Sequence, residues 1–139
     1  MKVKRSYSQM IVFSNVANNY LANQPKDVET KLTKSIVAIL KQCVPFNDDY
    51  NEELEILKLD NCLVDPTNKK ILKDSNGNYE FTVEGRKKFN TAFKELSKKE
   101  VEIHSRITPG NDDFKLTPME REHFSELVIS KQEDSELTN

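Results

Sequence analysis

The sequence predicts an α+β fold that is mainly helical, and three observations lead to this class. Apolar residues recur at three- and four-residue steps through most of the first 60 residues, which is the period of an amphipathic helix. An Asn-Gly pair at 76–77 lies between two strand-like runs, which predicts a small antiparallel sheet. The 139 residues include only three glycines and no tryptophan, which disfavours a large sandwich or barrel with many tight turns.

The length favours a single domain, which we place at residues 1–130. Within it we distinguish a helical part (1–60), a small α+β part (61–108) and a C-terminal helical appendage (109–130). Residues 131–139 are polar and are predicted to form a tail.

The first two elements are predicted to form an N-terminal antiparallel helical hairpin. One apolar stripe predicts a helix over residues 6–22. A short loop at Pro25 follows, and a second helix is predicted to begin near Lys26 or Asp27. Its apolar stripe continues as far as Cys43.

Pro45 leaves two alternatives for the second helix. A proline ring removes one helical hydrogen bond and crowds the preceding turn. Helical spacing nevertheless resumes at Phe46 and continues to Leu57. We favour one long helix that is kinked at Pro45, whereas the polar run 47–49 favours a new helix that begins after it.

The Asn76-Gly77 pair predicts the turn of a β-hairpin. A two-residue type I′ loop at this pair would place Leu72 opposite Phe81. Apolar and polar residues alternate over 101–107, which predicts a strand that could join the hairpin as a third member. The expected sheet is therefore antiparallel, with two or three strands.

Two further helices are predicted from their start signals. Thr82 is a suitable cap for a helix over 83–99. The run Thr-Pro-Met-Glu at 117–120 combines a cap, a proline at the first helical position and a glutamate at the third. It predicts a short helix that ends near Ile129.

Charge alternates in blocks along the chain, although the formal net charge is only −2. Residues 1–44 and 85–110 are basic in sum, whereas residues 45–84 and 111–139 are acidic. Such blocks suit segments that fold against one another, a homo-oligomer or an assembly partner, and solvated helix faces are the simpler explanation. Apolar runs such as Met10–Phe13 and Ile36–Leu40 are far too short to span a bilayer, so no membrane partner is expected.

The residue types that carry catalysis or bind metals do not form a recognisable motif. Cys43, Cys62, His104 and His123 lack the short spacings of structural zinc sites. No glycine-rich phosphate loop is present, and the clustered carboxylates stand beside lysines on polar helix faces. We therefore predict a protein that is not an enzyme and that uses no metal and no cofactor.

The C-terminal segment is the candidate protein interface. It is more apolar than one short helix needs in order to face its own domain. Two explanations are open: the segment closes the protein's own core, or it binds a groove on another protein or on a second copy. The candidate interface residues are Phe114, Leu116, Met119, Phe124, Leu127, Val128 and Ile129.

The helix over 86–99 offers a candidate nucleic-acid interface, because cations that share a helix face can follow phosphates. Glu95 and Glu100 interrupt the basic run, so nucleic acid is a less favoured partner than protein. The candidate contacts are Arg86, Lys87, Lys94 and Lys98.

Several stretches resemble a known group of proteins. One is residues 63–85, Leu-Val-Asp-Pro-Thr-Asn-Lys-Lys-Ile-Leu-Lys-Asp-Ser-Asn-Gly-Asn-Tyr-Glu-Phe-Thr-Val-Glu-Gly, taken with Glu-Val-Glu-Ile at 100–103. Another is Leu-Thr-Pro-Met-Glu-Arg-Glu-His-Phe at 116–124, followed by Leu-Val-Ile at 127–129. The layout resembles a loose group of small tailed-bacteriophage and prophage proteins of unknown function. These have two N-terminal helices, an acidic middle, an Asn-Gly or Asp-Gly hairpin, a helix and a Val-Glu-Ile strand.

The resemblance implies a phage-encoded protein, and it carries no functional residues with it. Together with the charge blocks and the missing catalytic motifs, it leads us to expect a protein that acts through protein–protein contacts, as a virion or assembly component or accessory. Two alternatives remain: an inhibitor of a host defence or nucleic-acid enzyme, and a nucleic-acid-binding accessory that uses the basic helix. The expected location is the cytoplasm of the bacterial host, or the virion.

Overall fold

The computed structural model describes residues 1–23, 31–109 and 115–130, and in these ranges the chain is mainly helical. The described ranges contain four helices and one two-stranded antiparallel sheet, which confirms the predicted class at this level. The elements are β1 (Lys2–Ser6), α1 (Tyr7–Ala22), α2 (Lys31–Asn61), α3 (Val83–Lys98), β2 (Glu100–His104) and α4 (Pro118–Phe124).

The chain divides into two compact units, and the division falls inside α2. Unit 1 comprises Met1–Asn47 and Glu100–Asn139, and unit 2 comprises Asp48–Lys99. Unit 1 therefore holds both strands, α1, the first part of α2 and α4. Unit 2 holds the second part of α2 together with α3. The single domain expected over residues 1–130 stays a prediction.

The strand β1 has no counterpart among the predicted elements, because Val3 is the only apolar residue in Lys-Val-Lys-Arg-Ser. It pairs antiparallel with β2, and Val3 lies opposite Ile103. Both of these side chains are buried in the core of unit 1. β2 lies where alternation predicts a strand, but it pairs with β1 and not with the segments around Asn76.

The core of unit 1 is formed by residues of both strands, of α1, of the first part of α2, and of α4 and the turn that follows it. The ring of Phe124 meets the rings of Phe13 and Tyr20 edge-on, at centroid distances of 5.7 Å in both cases. Each fully buried side chain of this kind contributes about 1.5–3 kcal/mol. The buried residues are Val3, Met10, Phe13, Val16, Ala17, Tyr20, Leu32, Ile36, Ile39, Cys43, Ile103, Phe124, Leu127, Val128 and Ile129.

The N-terminal half contains the helices α1, whose start is capped, and α2, which continues through Pro45. α1 begins with a capping box, in which Ser6 Oγ accepts the Gln9 N–H at 3.1 Å and the Gln9 side chain accepts the Ser6 N–H at 2.8 Å. α2 continues through Pro45, so the alternative of a new helix after the proline is wrong. The predicted loop at Pro25 and the predicted helix start lie outside the described residues. The antiparallel hairpin stays a prediction.

α4 begins as its sequence predicts and ends earlier. Thr117 Oγ1 accepts the Glu120 N–H, and the Glu120 side chain accepts the Thr117 N–H, which forms a second capping box. The predicted end at Ile129 is wrong, because the chain leaves the helix at Ser125 and Glu126 has a φ of 69°. The carbonyl of Phe124 accepts the N–H groups of three later residues, 127 to 129, in a tight turn.

Unit 2 is held together by aromatic rings and by short extended segments. Phe89 stacks on Phe93 at 5.9 Å and lies 5.4 Å from Phe81, while Tyr50 of α2 meets Phe93 at 6.5 Å. Beside these aromatic side chains, three backbone hydrogen bonds connect three extended segments in a closed ring. Leu63 donates to Glu80, Glu80 donates to Leu72, and Leu72 donates to Leu63, at 2.7, 3.1 and 3.0 Å.

The turn at Asn76-Gly77 is not the predicted type I′ loop. Gly77 has a φ of 82°, but Asn76 does not have a positive φ. The N–H of Gly77 donates to Asp74, and Lys73 pairs with Tyr79, so the register differs by one residue from the predicted one. The cause is the Asp74 carboxylate, which accepts the backbone N–H groups of Asn76 and Asn78 and thereby favours a three-residue loop.

Candidate docking groove

An open groove of about 620 Å³ lies in unit 2, between the second part of α2 and α3. Ile56 and Leu57 line it from α2, and Ala92 and Leu96 line it from α3. The Ile56 side chain is 55% exposed, whereas Leu96 is buried. The groove therefore leaves apolar surface open to solvent along the contact between two helices, which is typical of a binding surface.

The two helices are held side by side at several points. At the start of α3, Thr82 Oγ1 accepts the Gly85 N–H at 2.9 Å and caps the helix. A Cβ atom at Gly85 would lie 2.5 Å from the carbonyl oxygen of Asn61, so this approach of α3 to the end of α2 requires glycine. Farther along, the rings of Tyr50 and Phe93 pack between the same two helices.

Charges of both signs border the groove. Lys99 Nζ lies 3.6 Å from Glu53 Oε1, while Glu53 Oε2 is buried and has no hydrogen-bond partner within the described ranges. Glu95 and Lys98 line the groove from α3 and are exposed. A ligand that covers the apolar strip thus meets carboxylates and ammonium groups within one turn of α3, which gives the groove a distinct charge pattern.

A second, more polar pocket of about 380 Å³ lies elsewhere in unit 2, and Lys58 and Arg86 contribute its cations. The Arg86 guanidinium lies over the Phe81 ring, 4.4 Å from its centroid. The Tyr79 hydroxyl, also at this pocket, donates a hydrogen bond to Glu55, which raises the pKa of Tyr79. The Arg86 guanidinium and the Tyr79 phenol are therefore already engaged within the protein.

The predicted interface residues fall into three groups. Phe114 lies outside the described residues. Met119 is 60% exposed, and Leu116 is half-buried against the core of unit 1. The other four are buried in that same core, so in this conformation they are not accessible to a partner: Phe124, Leu127, Val128 and Ile129.

The predicted nucleic-acid contacts do not form one free row of cations. Lys87 and Lys94 are exposed and lie seven residues apart, on the same face of α3. Lys98 lines the docking groove, and Arg86 is packed over Phe81.

The cysteines and histidines that the sequence analysis considered as metal ligands do not form a cluster in the described part of the chain. In the part of the chain that the structure describes, no group of three or more His, Cys, Asp or Glu side chains could hold a metal ion. Cys43 is buried beside Met10, with Sγ and Sδ 3.8 Å apart, and burial raises the pKa of its thiol to about 11. Such a thiol is a packing group and a poor nucleophile at neutral pH.

No helix among the described residues is long and apolar enough to cross a membrane.

Comparison with protein-family models, with curated proteins and with solved structures finds no match to this chain.

The groove was not predicted from sequence, although part of its lining was. Leu57 ends the helical spacing that resumes at Phe46, and Leu96 lies within the predicted helix over 83–99. Ile56 lies next to Leu57 and widens the apolar stripe of α2 beyond what one buried face needs. This extra width is the sequence signal that could have indicated the groove. The spacing of the helices depends on Gly85, whose contact with Asn61 no sequence pattern shows.

Proposed function

We propose that this protein is a non-catalytic binding protein of phage origin that acts through protein–protein contacts, as a virion or assembly component or accessory. The observation that carries the proposal is the open apolar groove lined by Ile56, Leu57, Ala92 and Leu96. Exposed apolar surface in a groove that polar residues border is typical of interaction sites.

The occupant we propose is an amphipathic helix of another protein. A groove between two helices accepts the apolar stripe of a third, with anchors at steps of three and four residues. The rim supports this choice, because Lys98 offers a cation beside Glu95 and a helix flanked by complementary charges can pair with both. An inhibitor of a host enzyme would use the same groove, and only the identity of the partner distinguishes the two roles.

The test compares a variant within the groove with a variant at an exposed apolar residue outside it. Tagged wild-type protein, Ile56→Asp and Val83→Asp are used to capture partners from phage-infected bacterial cells. Val83 is the matched control, because its side chain is 76% exposed and it does not line the groove. We expect Ile56→Asp to lose the partner and Val83→Asp to keep it.

The helical segment of the captured partner is then made as a peptide and titrated. Anchors in apolar grooves commonly account for about 2 kcal/mol or more, so the peptide should bind Ile56→Asp at least roughly tenfold more weakly. Equal capture by Ile56→Asp and wild type would contradict the proposal. If the captured material is nucleic acid that Lys87→Glu with Lys94→Glu releases, the nucleic-acid-binding alternative replaces it.

A further inference from the structure

The outer edge of β1 has open backbone hydrogen-bonding groups. Met1 accepts the Ser105 N–H at 2.9 Å, which sets the antiparallel pattern: pairs 3–103 and 5–101 exchange hydrogen bonds. The backbone groups of Lys2 and Lys4 therefore point away from β2. Among the described residues, the Lys2 N–H, the Lys2 carbonyl and the Lys4 N–H have no partner.

The opposite edge of the sheet is covered at its His104 end. The Gln42 side chain accepts the His104 N–H at 2.9 Å and donates to the His104 carbonyl at 2.8 Å, as a neighbouring strand would. Beyond β2, the N–H groups of Arg106 and Thr108 donate to the backbone of Leu127 and Val128. Among the residues that the structure describes, the fold covers the β2 edge at His104 and leaves the Lys2 backbone groups and the Lys4 N–H of β1 open.

From this contrast we infer that β1 accepts an added strand from another protein, and that this strand alternates acidic and apolar residues. Charge supports that choice. The side chains of Lys2 and Lys4 lie exposed on the solvent face of the sheet, so acidic neighbours on an added strand are favoured. β1 already has an acidic neighbour on its inner side, because Lys4 lies opposite Glu102 of β2. The Lys2 Nζ atom lies 3.8 Å from Oε2 of the same glutamate.

A second copy of the chain is a poorer occupant. Antiparallel pairing of β1 with its own copy would place lysines beside lysines, which is unfavourable. Pairing with the outer edge of β2 in another copy would displace Gln42 from His104. This site is independent of the docking groove, because it involves only residues of unit 1.

The probe is a synthetic peptide of residues 99–105, which contains the Glu-Val-Glu-Ile of β2, with both ends blocked. Its control carries lysine in place of both glutamates. We expect the acidic peptide to slow amide exchange at Lys2 and Lys4 at least tenfold, measured by NMR, and the lysine peptide to have no effect. Binding should weaken as salt rises.

Two variants make the test specific. Lys4→Pro removes one outward N–H and leaves the bonds of Val3 and Arg5 to β2 in place, so it should weaken peptide binding at least tenfold. Lys4→Glu keeps the N–H and should transfer the preference to the lysine peptide. Slow exchange at Lys2 and Lys4 in the free protein, unchanged binding by both variants, or a concentration-dependent oligomer that Lys4→Pro abolishes would each overturn the inference.

Discussion

Gly85→Ala tests how closely α3 approaches α2, because helix propensity and packing predict opposite results. Inside a helix, alanine is better than glycine by about 0.8–1 kcal/mol, so propensity alone predicts a more stable protein. The structure predicts the reverse, because the new Cβ atom would lie 2.5 Å from the Asn61 carbonyl oxygen and 3.1 Å from Thr82 Oγ1. Backbone atoms cannot rotate away, so the two helices must separate.

Overpacking of this kind costs about 1–3 kcal/mol, which exceeds the gain in propensity. We expect Gly85→Ala to lower the free energy of unfolding of unit 2 by up to about 2 kcal/mol, as the difference between these two effects. The measurement is urea unfolding followed by circular dichroism, with amide exchange of α3 as the local readout. Asn90→Ala is the matched control, since Asn90 is exposed on the same helix and should gain stability. An equal gain for Gly85→Ala would refute the close approach.

Three further predictions concern single residues. The raised pKa of Cys43, about 11 against 9.0, means that the folded state favours the protonated thiol. The stability that Cys43 contributes is therefore complete below pH 9 and is lost as the pH rises from 9 to 11, a change of about 2–3 kcal/mol relative to Cys43→Ala; a constant difference between the two proteins would contradict this. Thr117→Ala should cost about 1 kcal/mol in thermal unfolding, because α4 loses its cap, whereas Met119→Ala on the same helix should cost little. Lys69 has a φ of 62°, so Lys69→Gly should stabilise the protein by about 0.5–1 kcal/mol and Lys70→Gly should not.

Local signals predicted most of the helices. The capping box at the start of α4 and the cap at Thr82 depend on neighbours within one turn, so the sequence shows them directly. The strand β1 depends on a partner that lies about 100 residues away in the chain, and its own composition gives almost no signal. The turn at Gly77 was located correctly, but its register depended on Asp74, whose carboxylate outweighs the preference of the Asn-Gly pair.

The apolar residues at 127–129 show why the candidate site was harder to predict than the fold. Periodicity indicates how many apolar residues a segment has, and it does not indicate what covers them. The positive φ of Glu126 turns the chain back after α4, and all three side chains then reach the core of unit 1. The groove at Ile56 is the reverse case, because an apolar residue that lies beside the predicted stripe stays exposed.

The ring of backbone hydrogen bonds among Leu63, Leu72 and Glu80 has a practical consequence for engineering. Each of the three segments donates to one neighbour and accepts from the other, so none can leave without breaking two bonds. The connecting turns at 66–69 and 75–77 lie outside the ring, and their residues are exposed. Their length can therefore change while the ring stays closed, which makes them suitable positions for inserting a peptide tag or a fluorescent label.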